Sequence, residues 1–340
     1  MRRLRMSLAA VVIAALVPLG ASPAHAVEAP TQPLLMAFHA CSAGGPACYD
    51  PRNHVVWLAQ GSDGTNWTVL PGWVPYSGSV PDVFRRGNTA YIYSSPGSVA
   101  RLNLTTGVLT PNTPVTLTDG SGFVDPSMAQ LPDGRLVLFY LPGQIGSEPA
   151  GCGGAPSCVR EIRSAIEVAG SDGTSFTPNG TPHISVTLTV GTFSDPDVFF
   201  NGSTWVLYVS RERSTEAYAS SDLLGSYTKV ADITNYQGGV PAGIRMDNGS
   251  VLTLVSSDPN ILSGTSPNGT ISLNGALSTS ASPGLVPGST LVGSPGLGVN
   301  TAGIPLPESV ATTSKIRCKK GKVTKRFTGK CPAGWKPVSG

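Results

Sequence analysis

Three aspartates recur in similar settings along this chain of 340 residues. Asp82 stands in Ser79-Val80-Pro81-Asp82-Val83-Phe84, Asp125 in Phe123-Val124-Asp125-Pro126-Ser127-Met128, and Asp195 in Phe193-Ser194-Asp195-Pro196-Asp197-Val198. Carboxylates brought to one place repel, so at least one of their pKa values rises. One ionised carboxyl beside one protonated carboxyl is what hydrolysis of a glycosidic bond requires. Taken singly, each Asp-Pro is an ordinary turn element whose carboxylate accepts backbone hydrogen bonds. The shared register across three repeats is what lifts the catalytic reading above that plainer one.

The elements that must position these residues repeat with them. Asp82 leads to Thr89–Tyr93, Asp125 through Asp133-Gly134 to Arg135–Tyr140, and Asp195 through Asn201-Gly202 to Thr204–Val209. A fourth copy, Gly239–Ile244, leads through Asn248-Gly249 to Ser250–Val255. Each reads as a short strand, a two-residue turn and a buried strand, with Asn-Gly or Asp-Gly supplying the positive φ of a hairpin turn. Outer halves repeat as well: Cys41–Trp67 and Cys152–Phe176 each read as a cysteine loop, a strand and a Ser-Asp-Gly-x-x-aromatic turn. Their Asp63 and Asp172, with Asp222 in a looser third copy, read as structural turn residues. Repeats of about 40 to 50 residues with four strands each predict a β-propeller. The expected fold is therefore all-β, a five-bladed propeller whose fifth blade is split. Its inner strand is expected near Leu297–Ile304, and the N-terminal segment Leu34–Leu70 closes the ring, removing exposed sheet edges.

Composition agrees: 41 Gly, 30 Pro and only 13% charged residues disfavour helices and suit short strands joined by tight turns. Arg2, Arg3 and Arg5, the apolar run Leu8–Leu19 and Ala24-His25-Ala26 read as a secretory signal over 1–26, leaving Val27 as the mature start. Residues 27–305 form the propeller, 306–314 a linker and 315–340 a basic tail bracketed by cysteines. The tail carries nine Lys or Arg and no acid, which leaves the body at −9. That acidic body argues against nucleic acid as a partner. The tail suits anionic wall polymers or a membrane surface, or serves as a solubilising terminus. Export makes disulfides the default, and proximity favours Cys41/Cys48, Cys152/Cys158 and Cys318/Cys331. No zinc spacing occurs. No metal site and no cofactor are called for, with a structural calcium left open, and a secreted monomer, free or associated with the cell surface, is expected.

With these motifs in place, the chain resembles the five-bladed propeller glycosidases, the arabinanase and β-xylosidase families with invertase and levansucrase more distant, over roughly residues 34–305. The resemblance implies an Asp base or nucleophile on the first blade, matched by Asp82. It implies a second Asp that supports transition-state geometry or tunes the acid, matched by Asp125. A Glu general acid is implied on the third blade, where this chain has Asp195. The acid is then Asp195, or comes from Glu212 or Glu216 after the next strand, or is lost. Trp73 and Tyr76, in a Pro/Gly loop before the first inner strand, are expected at the pocket rim, with Asp197, Arg211, Glu212 and Arg245 as further glycan contacts. Trp57, Tyr93, Tyr140 and Tyr208 read as core between blades, and His39, His54 and His183 show no ligand spacing. Three functions follow: a secreted glycoside hydrolase acting on polysaccharide, a non-catalytic carbohydrate- or cell-surface-binding propeller whose acid is lost, and, lowest, a sialidase-like propeller.

Overall fold

The computed structural model describes residues 25–144, 150–271, 277–300, 315–320, 323–328, 334 and 336–337. Five sheets, antiparallel except where Thr116–Leu117 pairs in parallel with Ser175–Phe176, stand around a central channel, each numbered by the order of its inner strand. Blade I runs outward as Ser79–Arg86, Thr89–Ser95, Ser98–Asn103 and Val108–Pro114, with His25–Ala26 paired to its outer edge. Blade II is Phe123–Gln130, Leu136–Pro142, Cys158–Glu167 and Ser175–Pro178, with Ile184–Leu188 extending the third strand's free half. Blade III is Ser194–Phe200, Trp205–Arg211, Ser214–Ser220 and Thr228–Thr234, and blade IV is Gly239–Arg245, Val251–Ser257, Asn260–Ser266 and Ser278–Ala281. Blade V combines both ends of the ring: Leu291–Val299 is its inner strand, and Leu34–Cys41, Val55–Gly61 and Trp67–Val69 complete it.

Apolar alternation and turn chemistry account for these elements. The turns at Gly134, Gly202 and Gly249 hold φ of 89°, 105° and 82°, the region only glycine enters without strain. Both faces of each sheet meet a neighbouring blade, so the second strands, such as Leu136–Leu141 and Trp205–Ser210, are buried almost throughout. The apolar core is correspondingly divided among the seams. Phe139, Val198 and Tyr218 fill the seam between blades II and III, and Leu35, Val83 and Ile92 that between V and I. The aromatic of each Ser-Asp-Gly turn enters a seam: Phe176 meets Tyr93 edge-on at 6.1 Å, and Trp67 Nε1 donates to Ser280 Oγ at 2.8 Å.

One expectation needed adjustment. The inner strand of blade V begins six residues before the expected Leu297, at Leu291, and Ile304 lies outside the described residues. Glycines had hidden the strand, yet they are what it needs. A Cβ on Gly296 would come within 2.5 Å of Asp82 Cα and Pro81 O, and one on Gly298 within 2.7 Å of Val83 O. Bonds Cys41–Cys48 and Cys152–Cys158 are present, and Cys318 is disulfide-bonded. Its expected partner Cys331, the linker and most of the leader lie outside the described residues. Two such bonds fit an oxidising compartment. Among the described residues no helix is long and apolar enough to cross a membrane.

Candidate active site

Every inner strand begins with the same device. Val80, Asp125, Asp195, Val240 and Ser294 hold φ between 44° and 55°, and each is followed by proline: Pro81, Pro126, Pro196, Pro241 and Pro295. The left-handed residue inserts a bulge, seen as register shifts at 79/82, 124/127, 194/197 and 239/242 and opposite the inner strand of blade V. Bulges of this kind re-aim side chains beside functional sites. The five prolines are buried around a waist whose cavity is about 10 Å³, room for one water at most.

Each bulge thus presents one residue before the proline and one after it. The front ring is Val80, Asp125, Asp195, Val240 and Ser294; the rear ring is Asp82, Ser127, Asp197, Ala242 and Gly296. The sequence reading had placed Asp82, Asp125 and Asp195 at one equivalent position. The structure corrects that register: Asp125 and Asp195 share the front ring, Asp82 lies in the rear ring with Asp197, and blade I offers Val80 at the front. Alignment on aspartate rather than on proline produced the offset. The prolines, spaced by 45, 70, 45 and 54 residues, were the signal that reveals the true phase.

In the front ring, Asp195 N–H donates to Asp125 Oδ2 at 3.4 Å and Ser194 Oγ–H donates to Asp195 Oδ2 at 2.5 Å. Asp125 is held from the other side, its N–H donating to Ser95 Oγ at 2.9 Å. Loss of solvation raises both carboxyls. Asp195 reaches about 6. Asp125 rises well above the ordinary range, through burial and then through the Asp195 charge beside it. The Ser194 hydroxyl favours charge on Asp195, which is also the partly accessible member of the pair. The Asp195 charge thus helps to keep the proton on Asp125, while the Ser194 hydroxyl favours ionisation of Asp195. Ser194 and Ser95 were not singled out from sequence, because their role follows only from the bulge.

The rear ring does different work. Asp82 Oδ2 accepts from Met128 N–H of blade II at 2.8 Å, and its Oδ1 from Val83 N–H at 2.8 Å. Ser127 Oγ accepts from Val198 N–H of blade III at 2.9 Å, and Asp197 Oδ2 from Gly243 N–H of blade IV at 2.7 Å. Side chains one position past each proline thus stitch blade I to II, II to III and III to IV. Burial raises Asp82 to about 7, and burial followed by the Asp82 charge raises Asp197 well above the ordinary carboxylate range.

Other expected contacts divide between the two mouths or leave both. Arg211 and Glu212 follow the blade III strand to the front, where Arg211 donates to Thr192 O at 3.4 Å and Glu212 is exposed. Glu216 lies further out, paired with Lys229 at 2.9 Å and accepting from Tyr218 OH. Arg245 stands at the rear mouth, on a cavity of about 410 Å³ that also borders Asp82 and Asp197. Trp73 and Tyr76 are not rim residues: Trp73 is buried in the seam between blades V and I, its Nε1 donating to Val56 O, and Tyr76 packs 6.1 Å from it. The loop's Pro and Gly turn it inward. His39 and His54 stack at 3.8 Å beside the front ring. His54 Nε2–H donates to Cys48 O, which leaves its Nδ1 to accept from Ser79 Oγ. Among the described residues no cluster of three or more His, Cys, Asp or Glu comes together as a metal site.

No family model matches the chain, and no curated relative matches it in sequence. Solved structures similar to it include an endo-1,4-β-xylanase from Bacteroides thetaiotaomicron, at 12% identity and a TM-score of 0.48, covering 73% of this chain and 92% of that one. An endo-arabinase from the same organism is 13% identical, with a TM-score of 0.43, covering 66% and 85%. An exo-β-1,3-galactanase from Phanerochaete chrysosporium, solved with β-1,3-galactotriose, is 11% identical, with a TM-score of 0.44, covering 61% of this chain and about half, 51%, of that one.

Proposed function

We propose that this protein is a secreted glycoside hydrolase-like propeller that acts on polysaccharide at its front mouth. The observation that carries this reading is the Asp125–Asp195 pair: two aspartates delivered by equivalent bulges of adjacent blades, Asp195 N–H donating to Asp125 Oδ2 at 3.4 Å, with both carboxyls raised by burial. Ionised Asp195 either takes a proton from the water that attacks the anomeric carbon or attacks that carbon itself, the glycosyl-enzyme then being hydrolysed by water, and protonated Asp125 gives its proton to the leaving oxygen. Arg211 and Glu212 border the same mouth and contact the sugar. The leader over 1–26 exports the chain, and the basic tail over 315–340 holds it to anionic wall polymers.

Release assays on aryl arabinofuranoside, xyloside and galactoside, and on arabinan, xylan and fructan, test the reading. Turnover is expected to fall by roughly 10²–10⁴-fold in Asp195→Asn and Asp125→Asn, with a limb of the pH profile near 6 from Asp195. One observation favours a second reading, glycan binding without turnover: blade I presents Val80 where Asp125 and Asp195 stand, and Asp82 is committed to backbone amides. No turnover on any substrate, with glycan binding unchanged in Asp195→Asn, would establish that second reading and reject the first.

A further inference from the structure

The rear mouth holds a cavity that the proline waist separates from the front. Its volume of about 410 Å³ falls within the range of small-molecule sites, about 300–1,000 Å³. Most of its wall is apolar: Phe84, Phe199, Trp205, Met128, Leu297 and Val299. Water in such a space finds few partners. Two guanidinium groups interrupt this lining, Arg85 from blade I and Arg245 from blade IV. The Arg85 side chain donates to the carbonyl of Gly87 at 2.7 Å, and among the described residues it has no acid partner and the Arg245 guanidinium has neither hydrogen bond nor ion pair. The nearby acids form no ion pair with them: both Asp82 oxygens accept from the amides of Met128 and Val83, and Asp197 Oδ2 accepts from the amide of Gly243. An apolar pit with two unmatched cations fits a ligand with a ring and a carboxylate. Guanidinium forks match carboxylates bidentately, and the aromatic walls favour a planar apolar body.

We propose that the rear pocket is a binding site for a small aromatic carboxylate, its ring held among Phe84, Phe199 and Trp205 and its carboxylate by Arg245 and Arg85. The site is separate from the front-mouth chemistry and stands or falls independently of it. Titration calorimetry and ligand-observed NMR on the full-length protein, with 2-naphthoate and its uncharged counterpart 2-naphthamide, test it. One molecule of 2-naphthoate is expected per chain, bound at least about tenfold tighter than 2-naphthamide. Arg245→Gln and Arg85→Gln should each remove most of that difference while leaving the melting temperature in place, and Asp195→Asn should leave naphthoate affinity unchanged. Equal affinity for the acid and the amide, an Arg245→Gln protein that binds as the parent does, or no binding of naphthoate up to about 1 mM would overturn the proposal.

Discussion

Asp82 accepts one amide from the next blade and one from its own strand, both at 2.8 Å, in a position that is 5% exposed. Replacement by Ala orphans both donors, each worth about 1–3 kcal/mol when left unpaired in the interior, so Asp82→Ala should lower the urea midpoint accordingly. The same side chain makes stability depend on pH. Its pKa rises from the ordinary 3.8 to about 7 in the folded chain, so the native state binds the proton more tightly than the unfolded state. That contribution is complete below the ordinary carboxylate range and is lost as pH climbs through about 7. Asp197, Asp125 and Asp195 are shifted in the same direction. Urea unfolding measured across this window should show falling stability, and Asp82→Asn should flatten part of the slope. An unchanged slope would mean that Asp82 titrates normally.

At the scale of the element, the inner strand of blade V shows what a glycine run can mean. Gly296 occupies the rear-ring position, and a methyl group there would meet the backbone of Asp82 and Pro81 at 2.5 Å. Backbone does not give way cheaply, so Gly296→Ala should cost about 1–3 kcal/mol or more, read as a lower thermal midpoint. This strand also marks the limit of what could be read from sequence. The other four inner strands were legible from their apolar runs and, in three of them, from Asn-Gly or Asp-Gly turns, because hairpin chemistry is local. The blade V strand carries no aromatic, and its partner Leu34–Cys41 lies some 250 residues away. The site was legible in part for the same reason. Asp125 and Asp195 stand out as Asp-Pro, but the left-handed residue before each proline is a backbone state shared by Val80 and Val240, residue types that do not advertise it. Trp73 and Tyr76 misled because a loop's composition does not tell which way its aromatics turn.

At the scale of the molecule, the ring closes by pairing chain segments from opposite ends, with seven paired positions from Leu34↔Val299 to Cys41↔Leu291. A chain ending at Thr290 lacks the inner strand of blade V and exposes Leu35, Met36 and Phe38, all buried in the intact ring. Such a chain should be digested rapidly by protease and lose its cooperative melt, whereas independent folding of blades I to IV would leave a resistant fragment covering them.

The proline waist carries a consequence for any polymer that meets this protein. A hole that admits a single water cannot be threaded by a sugar chain, so no strand can be drawn through the axle of the wheel. Anything that enters the front mouth must leave by the side from which it came, and anything that enters the rear stays apart from it.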